Sequence, residues 1–581
     1  MACHVIWFRR DLRLDDHAAL QEGCRRGSVL PLFILDPALL HHPETAPARV
    51  NFLLASLGAL DQALRQRGGR LLVRCGDPAV ELVRVVKAWG ADGVMAHTDS
   101  ERIVGRLRDA AVNRALRAET IPIRWIEPAG AQAELISSPH WRRAWHGAMA
   151  SPAAATPARI PVPPAKAGVP ERAIPTLGEL NLPDSCTPLP PAGPTAALER
   201  LESFCRGPAS RTYYWELSYP AARVTSGLSP YLKFGVITPR QCLQRLQQLA
   251  AAEPGRQRSA QQLISRLRWG AGMHQRFRYL PQLELRSPWS AFDEPEQEGQ
   301  PLRGRAAELY AAWQEGRTGF PIVDAAARCL AAEGGWLELN FRSRAIHASF
   351  LANLCGIDWR WGALHFMRQL IDGDCPIDHS QWAMQAGTTI TANNGWTRIY
   401  HPGQVAVDRC DPQGLFIRRW LPELADLTND QLGAPPPMAA YPRPVLDYES
   451  ARQQRIATLQ RQRQQITDIR SGMARLPQRL TPFGLPWDQA GDAPDRAAAA
   501  EELFPPAIDL DALEPAQWPA LLSWFRPGRS GEQDRGRRSP GPTAASRRRP
   551  KRGESPGQLS LELGLDGDAD LAANTGTTDQ G

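Results

Sequence analysis

Apolar residues in the first 130 positions gather into five short runs: Val5–Phe8, Val29–Leu35, Arg70–Cys75, Gly93–His97 and Ile121–Ile126. Between them, stretches such as Asn51–Arg67 and Pro78–Trp89 repeat apolar residues at a spacing near 3.6. Short buried runs alternating with amphipathic helices predict an α/β domain over residues 1–132, built on a doubly wound parallel sheet. The first run leads into FRRDLRLDD, so the glycine-rich dinucleotide fingerprint and the P-loop are both absent. Residues 133–197 turn to Pro and Ala, as in SPAAATPARIPVPPAKAGVP, and read as an extended interdomain linker. Helical spacing returns in ASFLANLCGIDW and GALHFMRQLIDG, which predicts an all-α domain over 198–485. Residues 486–581 are rich in Ala, Pro, Gly, Arg and Asp and read as a low-complexity, largely disordered tail.

Composition narrows the class. With 581 residues, 43% of them hydrophobic, the chain has material for more than one core. No run approaches the roughly 18 apolar residues of a membrane span, and the charged start MACHVIWFRRDLRLDD lacks a signal-peptide core. The ten cysteines include no CxxC pair, which argues against a disulfide framework or a zinc ribbon and predicts a reducing, cytoplasmic setting. A net charge of +7 is compatible with nucleic acid without establishing it. Of 18 tryptophans, ten lie between Trp215 and Trp420; most read as aromatic core, and electron transfer would need only a few, correctly spaced.

The densest chemistry is in Ile371–Trp382, IDGDCPIDHSQW, where Asp372, Asp374, Cys375, Asp378 and His379 fall within twelve residues. A calcium loop would set its acids at other spacings around a bend glycine, and Pro376 interrupts that geometry. Zinc would want paired His and Cys, and Cys375 and His379 have no partners at ligand spacing, so no metal is assigned. A solvated acidic turn fits poorly beside flanks as apolar as HFMRQLI.

The segments VIWFRRDLRLDDHAAL, TSGLSPYLKFG, WQEGRTGFPIVDAAARCL, IDWRWGALHFMRQLIDGD and FIRRWLPEL, in this order, resemble the photolyase/cryptochrome family of flavoproteins over about residues 4–445. The resemblance implies an α/β antenna domain and a helical domain holding FAD in a U shape. It implies cofactor contacts from Tyr213, Thr225, Ser226, Gly227, Leu228, Ser229, Arg344, Asp372, Asp374 and Asp378. Arg344 would pair with Asp372, Asp374 would face the flavin and ribose, and Asp378 would face flavin N5. Repairing members usually carry Asn at that last position and plant cryptochromes Asp; a carboxyl there can hand a proton to the flavin. Trp382 and Trp359 match the first two tryptophans of the family's electron-transfer chain. The third falls at Arg303, leaving Trp361, Trp313 and Trp289 as substitutes.

On the substrate side the match is looser. Trp269 fits the tryptophan that stacks on a pyrimidine dimer, but Arg266 stands for the family's acid, Gly270 for an arginine and Met384 for a second tryptophan. The family's asparagine becomes Asn340 or Phe341. Arg266, Arg268, Arg276, Arg278, Arg342 and Arg398 could edge a phosphate track. The resemblance also implies a second antenna chromophore, a folate or deazaflavin, with the usual folate-contacting Asn-Glu replaced by Val104–Gly105. Two functions follow: light-driven repair of DNA containing ultraviolet photoproducts, by a deoxyribodipyrimidine photolyase-type lyase, or blue-light reception with little repair. A monomer is expected. In the tail, a basic run at Arg547–Arg552 precedes Gln558, Leu559, Leu561 and Leu563, a pattern like the peptides that dock on the bacterial sliding clamp.

Overall fold

The computed structural model describes residues 2–132, 138–163, 173–285 apart from 280, then 287, 292, 301–388 and 399–472. All of these belong to one compact unit. Among the described residues no helix is long and apolar enough to cross a membrane.

Five parallel strands, β1 (Ala2–Phe8), β2 (Gly27–Leu35), β3 (Leu72–Cys75), β4 (Gly93–His97) and β5 (Ile123–Ile126), form one sheet in the order β3-β2-β1-β4-β5. The register sets Val5 beside Leu30 on one side and Val94 on the other. Helices α1 (Ala18–Arg26), α2 (Pro37–Leu40), α3 (Pro47–Arg65), α4 (Pro78–Trp89) and α5 (Ile103–Ala118) carry the crossovers. Alternation within β1 splits the core by the two-residue period of a strand. Val5 and Trp7 pack with Leu82, Val86 and Leu116 on one face, while Ile6 and Phe8 pack with Phe52 and Leu57 on the other.

That second face continues into the helical part, through Tyr231, Phe234 and Leu246, so sheet and helices share a core. The connector is not wholly extended. Trp141, Trp145 and Met149, four residues apart, form the buried stripe of α6 (Ser138–Ala150) and pack on Leu243. Its later residues do run extended, Ile160 N–H donating to Arg67 O at 2.8 Å and Val29 N–H to Pro161 O at 2.7 Å.

The helical part comprises α7 (Pro194–Arg206), α8 (Ala209–Glu216), α9 (Ser229–Lys233), α10 (Pro239–Ala252), α11 (Gln257–Tyr279), α12 (Gly304–Gln314), α13 (Pro321–Glu333), α14 (Phe341–Ser349), α15 (Trp359–Gln369), α16 (Cys375–Ala386), α17 (Gln404–Cys410), α18 (Leu415–Trp420) and α19 (Tyr448–Gly472). A π-helical turn, Phe350–Leu354, follows α14. Trp313, Ile346, Phe366 and Trp382 belong to the second large core, between α12, α14, α15 and α16. The Gln558–Leu563 motif, Trp289 and Arg398 lie outside the described residues.

Candidate functional site

The acidic stretch spans the turn between α15 and the start of α16. Arg49, reaching over from α3, donates to the carbonyls of Met367 and Leu370 at 2.7 and 2.8 Å and so closes the end of α15. Arg344 on α14 lies 3.3 Å from Asp372, as expected, and donates from Nε to Leu339 O. Asp374 reaches across to the α/β part. Its Oδ2 is bound by Arg10, just after β1, and its Oδ1 lies 3.2 Å from His274 Nε2 on α11. A buried charge needs counter-charges, and these two supply them, while Oδ1 has no hydrogen-bond partner among the described residues.

Asp378 and His379 form the centre of this stretch. Asp378 is buried, and its Oδ2 has no hydrogen-bond partner, the nearest cation being His379 Nδ1 at 3.6 Å. Burial raises the Asp378 carboxyl to about 7; Glu44 adds to the rise and His379 opposes it. His379 Nε2 meets Glu44 Oε1 at 3.1 Å, and Glu44 Oε2 accepts from Arg102 at 2.8 Å. Arg102 continues to Glu284 at 3.2 Å. Two carboxylates thus face two cations in a dry interior. Cys375 and His379 thus find a third partner in Glu44, from the other part of the chain, which Arg102 also pairs.

The remaining cofactor residues gather on neighbouring elements. Tyr213 is buried on α8 with its ring edge against Phe204. Thr225 Oγ1 donates to Leu337 O at 2.9 Å, and Arg200 Nε holds Ser226 O at 2.7 Å. Gly227 has φ +65°, and a Cβ there would strike the Arg200 guanidinium at 2.6 Å, so this bend requires glycine. Leu228 is buried, and Ser229 opens α9.

The substrate side is rearranged. Trp269 stands 45% exposed on α11, with the Arg266 guanidinium 6.0 Å from its ring centre. Arg266 also lies 4.9 Å over Phe341, itself 37% exposed. Phe341 therefore takes the outward position, because Asn340 is consumed as the cap of α14, accepting from Arg342 N and Ser343 N at 3.0 Å each. Met384 is half-buried on α16, and an ideal Cβ on Gly270 would sit 3.4 Å from Ile377, so α11 and α16 meet here. The expected phosphate track shrinks. Arg278 is committed to Glu127, Arg342 is buried against the Tyr400 hydroxyl at 2.7 Å, and Arg276 has its Nε shielded from solvent. Arg266 and Arg268 stay half-buried.

A family model described as DNA photolyase matches residues 4–127, and one described as the FAD-binding domain of DNA photolyase matches residues 263–461. The deoxyribodipyrimidine photo-lyase of Escherichia coli is 33% identical over 484 residues, 79% of this chain and 98% of that protein. The chain belongs to the photolyase/cryptochrome family. Cryptochrome-1 of Arabidopsis thaliana is also similar, 30% identical over 74% of this chain and 64% of its own length. A class III photolyase from Agrobacterium tumefaciens superposes with a TM-score of 0.68 at 25% identity, covering 80% of this chain and 98% of that one.

Within this family the site has to accept FAD, and the residues fit. Asp378 Oδ2 and Ser380 Oγ on α16, Arg276 Nε on α11 and Asn340 Nδ2 before α14 are shielded from solvent without hydrogen-bond partners among the described residues. Buried polar atoms left open in this way are what a polar cofactor satisfies. A cavity of about 210 Å³ sits where strand order reverses between β1 and β4, at the junction with α6 and α11, lined by Arg9, Arg13, His97, Gly130, Trp145 and Arg278. A smaller one of about 100 Å³ lies on the β2 side, between Phe33, Leu35, Arg49 and Phe234. Val104 and Gly105, at the usual folate contact, are buried in the first turn of α5.

Sequence reasoning missed Glu44, which sits 335 residues from His379. No local pattern marks such a pair. Of the two alternatives the sequence left, Asn340 and Phe341, the structure makes the first the helix cap.

Proposed function

We propose that this protein repairs pyrimidine dimers in ultraviolet-damaged DNA, driven by light. The observation that carries the reading is the exposed Trp269–Arg266–Phe341 lip beside the junction of α11 and α16. Exposed aromatic faces offer stacking surfaces to bases extruded from a duplex. Arg266 makes no ion pair among the described residues, so its N–H groups are available to pyrimidine carbonyls or a phosphate. A guanidinium there favours added negative charge on the bound base. Arg344, Asp372, Asp378 and the Thr225–Ser229 bend would hold FAD, which when bound supplies light absorption and one-electron transfer. Asp378, with its carboxyl raised to about 7, keeps a proton near neutral pH and can present it as a hydrogen-bond donor to the flavin.

That same carboxyl supports a second reading, a blue-light receptor in which the flavin's protonation state is the signal. Binding separates the two. Damaged duplex should bind more tightly than undamaged duplex, and Trp269→Ala should abolish the preference; equal binding of both duplexes would favour the receptor.

A further inference from the structure

We propose that electrons reach Trp382 from solvent through Trp313, Tyr310 and Trp361, a branch that bypasses Trp359. This rests on reading Trp382 as the indole beside FAD. Among the described residues, the rings against Trp382 are Trp313, with centroids 6.1 Å apart, and Phe366 at 4.9 Å. Gly362 permits that packing, since a Cβ on it would fall 2.1 Å from the Trp382 ring. Trp313 stacks with Tyr310 at 5.8 Å and 21°, and Tyr310 meets the half-buried Trp361 at 5.6 Å. Trp359 instead turns its ring to His379 at 5.9 Å, is 3% exposed and, among the described residues, makes no contact with another Trp or Tyr ring. The residue at the expected surface position, Arg303, is the cap of α12 and carries no ring. Trp359 and Trp361 are two residues apart on α15 and so face different sides of the helix.

The environment of each ring fixes its part. Trp313 is fully buried, and its N–H donates to His347 O at 3.0 Å; a carbonyl is no base, so an oxidised Trp313 keeps its proton and passes the vacancy on. The Tyr310 hydroxyl likewise donates to Trp361 O at 3.0 Å, and burial raises its pKa further. Oxidising Tyr310 would strand a proton, so its ring bridges Trp361 and Trp313 without holding the charge. Trp361 reaches water. Trp382 would give one electron to light-excited FAD when it is bound, Trp313 would refill Trp382, and Trp361 would refill Trp313 across Tyr310. Trp361 then releases its indole proton to water. An external thiol returns one electron and one proton, and two such turns leave one disulfide.

The test illuminates the FAD-loaded protein with dithiothreitol and follows tryptophanyl radicals by transient absorption and paramagnetic resonance, with a nitroso spin trap located by mass spectrometry. The trap should label Trp361. Trp361→Phe should lose the long-lived neutral radical and slow flavin reduction; Tyr310→Phe should keep both, and Tyr310→Leu should lose them. Trp359→Phe should leave both intact. Trp361→Phe, at a half-buried position, keeps the test available where Trp313→Phe folds poorly. An unchanged radical in Trp361→Phe with loss in Trp359→Phe would overturn the branch while leaving the reading of Trp382 standing. Unslowed reduction in Trp382→Phe would overturn that reading itself.

Discussion

His379 Nε2 lies 3.1 Å from Glu44 Oε1, and the contact joins the flavin-side helix α16 to the loop between α2 and α3. Both groups are almost fully buried. Against the cost of burial, the Glu44 carboxylate holds the imidazolium well above the usual histidine range, and His379 with Arg102 hold the Glu44 carboxyl well below its own. Glu44 thus contributes stability above the ordinary carboxylate range that is lost on strong acidification. His379 contributes stability below about pH 6.5 that is lost as pH rises through its raised value. Glu44→Gln should cost about 3–5 kcal/mol between those limits, because it leaves the buried His379 imidazolium without its carboxylate. Urea denaturation across pH measures this. A penalty that does not shrink at either extreme would contradict the pairing.

Asp378 behaves in the opposite sense. An acid whose folded pKa lies at about 7 binds its proton more tightly folded than unfolded, so it lowers stability as pH rises from about 4 to 7. Asp378→Asn should remove that slope and be the more stable protein at pH 8, by at most a few kcal/mol. The illuminated visible spectrum should change with the same substitution, since the side chain no longer carries an acidic proton. Identical denaturation slopes in parent and variant would show that the carboxyl is ordinary.

The loop before α13 depends on one carboxylate. Asp324 accepts from Thr318 N at 2.8 Å, Thr318 Oγ1 at 2.6 Å, Gly319 N at 3.0 Å and the Tyr441 hydroxyl. It is fully buried. Asp324→Ala strands these donors and should cost about 3 kcal/mol or more, with Asp324→Asn intermediate. Thermal unfolding of the three proteins tests the order.

Much of this was legible in the sequence, for identifiable reasons. The five strands and α4 lie close to where the apolar runs put them, because a parallel strand buried on both faces is hydrophobic throughout. The Arg344–Asp372 pair followed from the family motif. What escaped was tertiary. Trp141, Trp145 and Met149 make a helix inside a Pro/Ala-rich stretch, because three apolar residues at helical spacing find Leu243 to cover them. The counter-charge of Asp374 is Arg10, 364 residues distant, which no local pattern announces. Arg278 and Arg342 were drawn inward by Glu127 and Tyr400, which nothing near them in sequence announces.

On the repair reading proposed above, that inward turn should make DNA binding less salt-dependent than the arginine count implies. Arg268→Ala should lower the slope of log affinity against log salt by about 0.9, one phosphate contact. Arg278→Ala should leave the slope unchanged, because that guanidinium is held by Glu127 at 2.9 Å. Titrations at several salt concentrations distinguish them; equal slope changes would restore the wider track.

Dimer splitting itself is the most direct measurement. An oligonucleotide with one cyclobutane thymine dimer, in excess over the FAD-loaded protein with reductant, is assayed for restored thymines in blue light and in darkness. Repair of many dimers per protein in light, none in darkness and strong loss in Trp269→Ala is the predicted result. Full flavin photoreduction with no thymines restored would contradict the repair function.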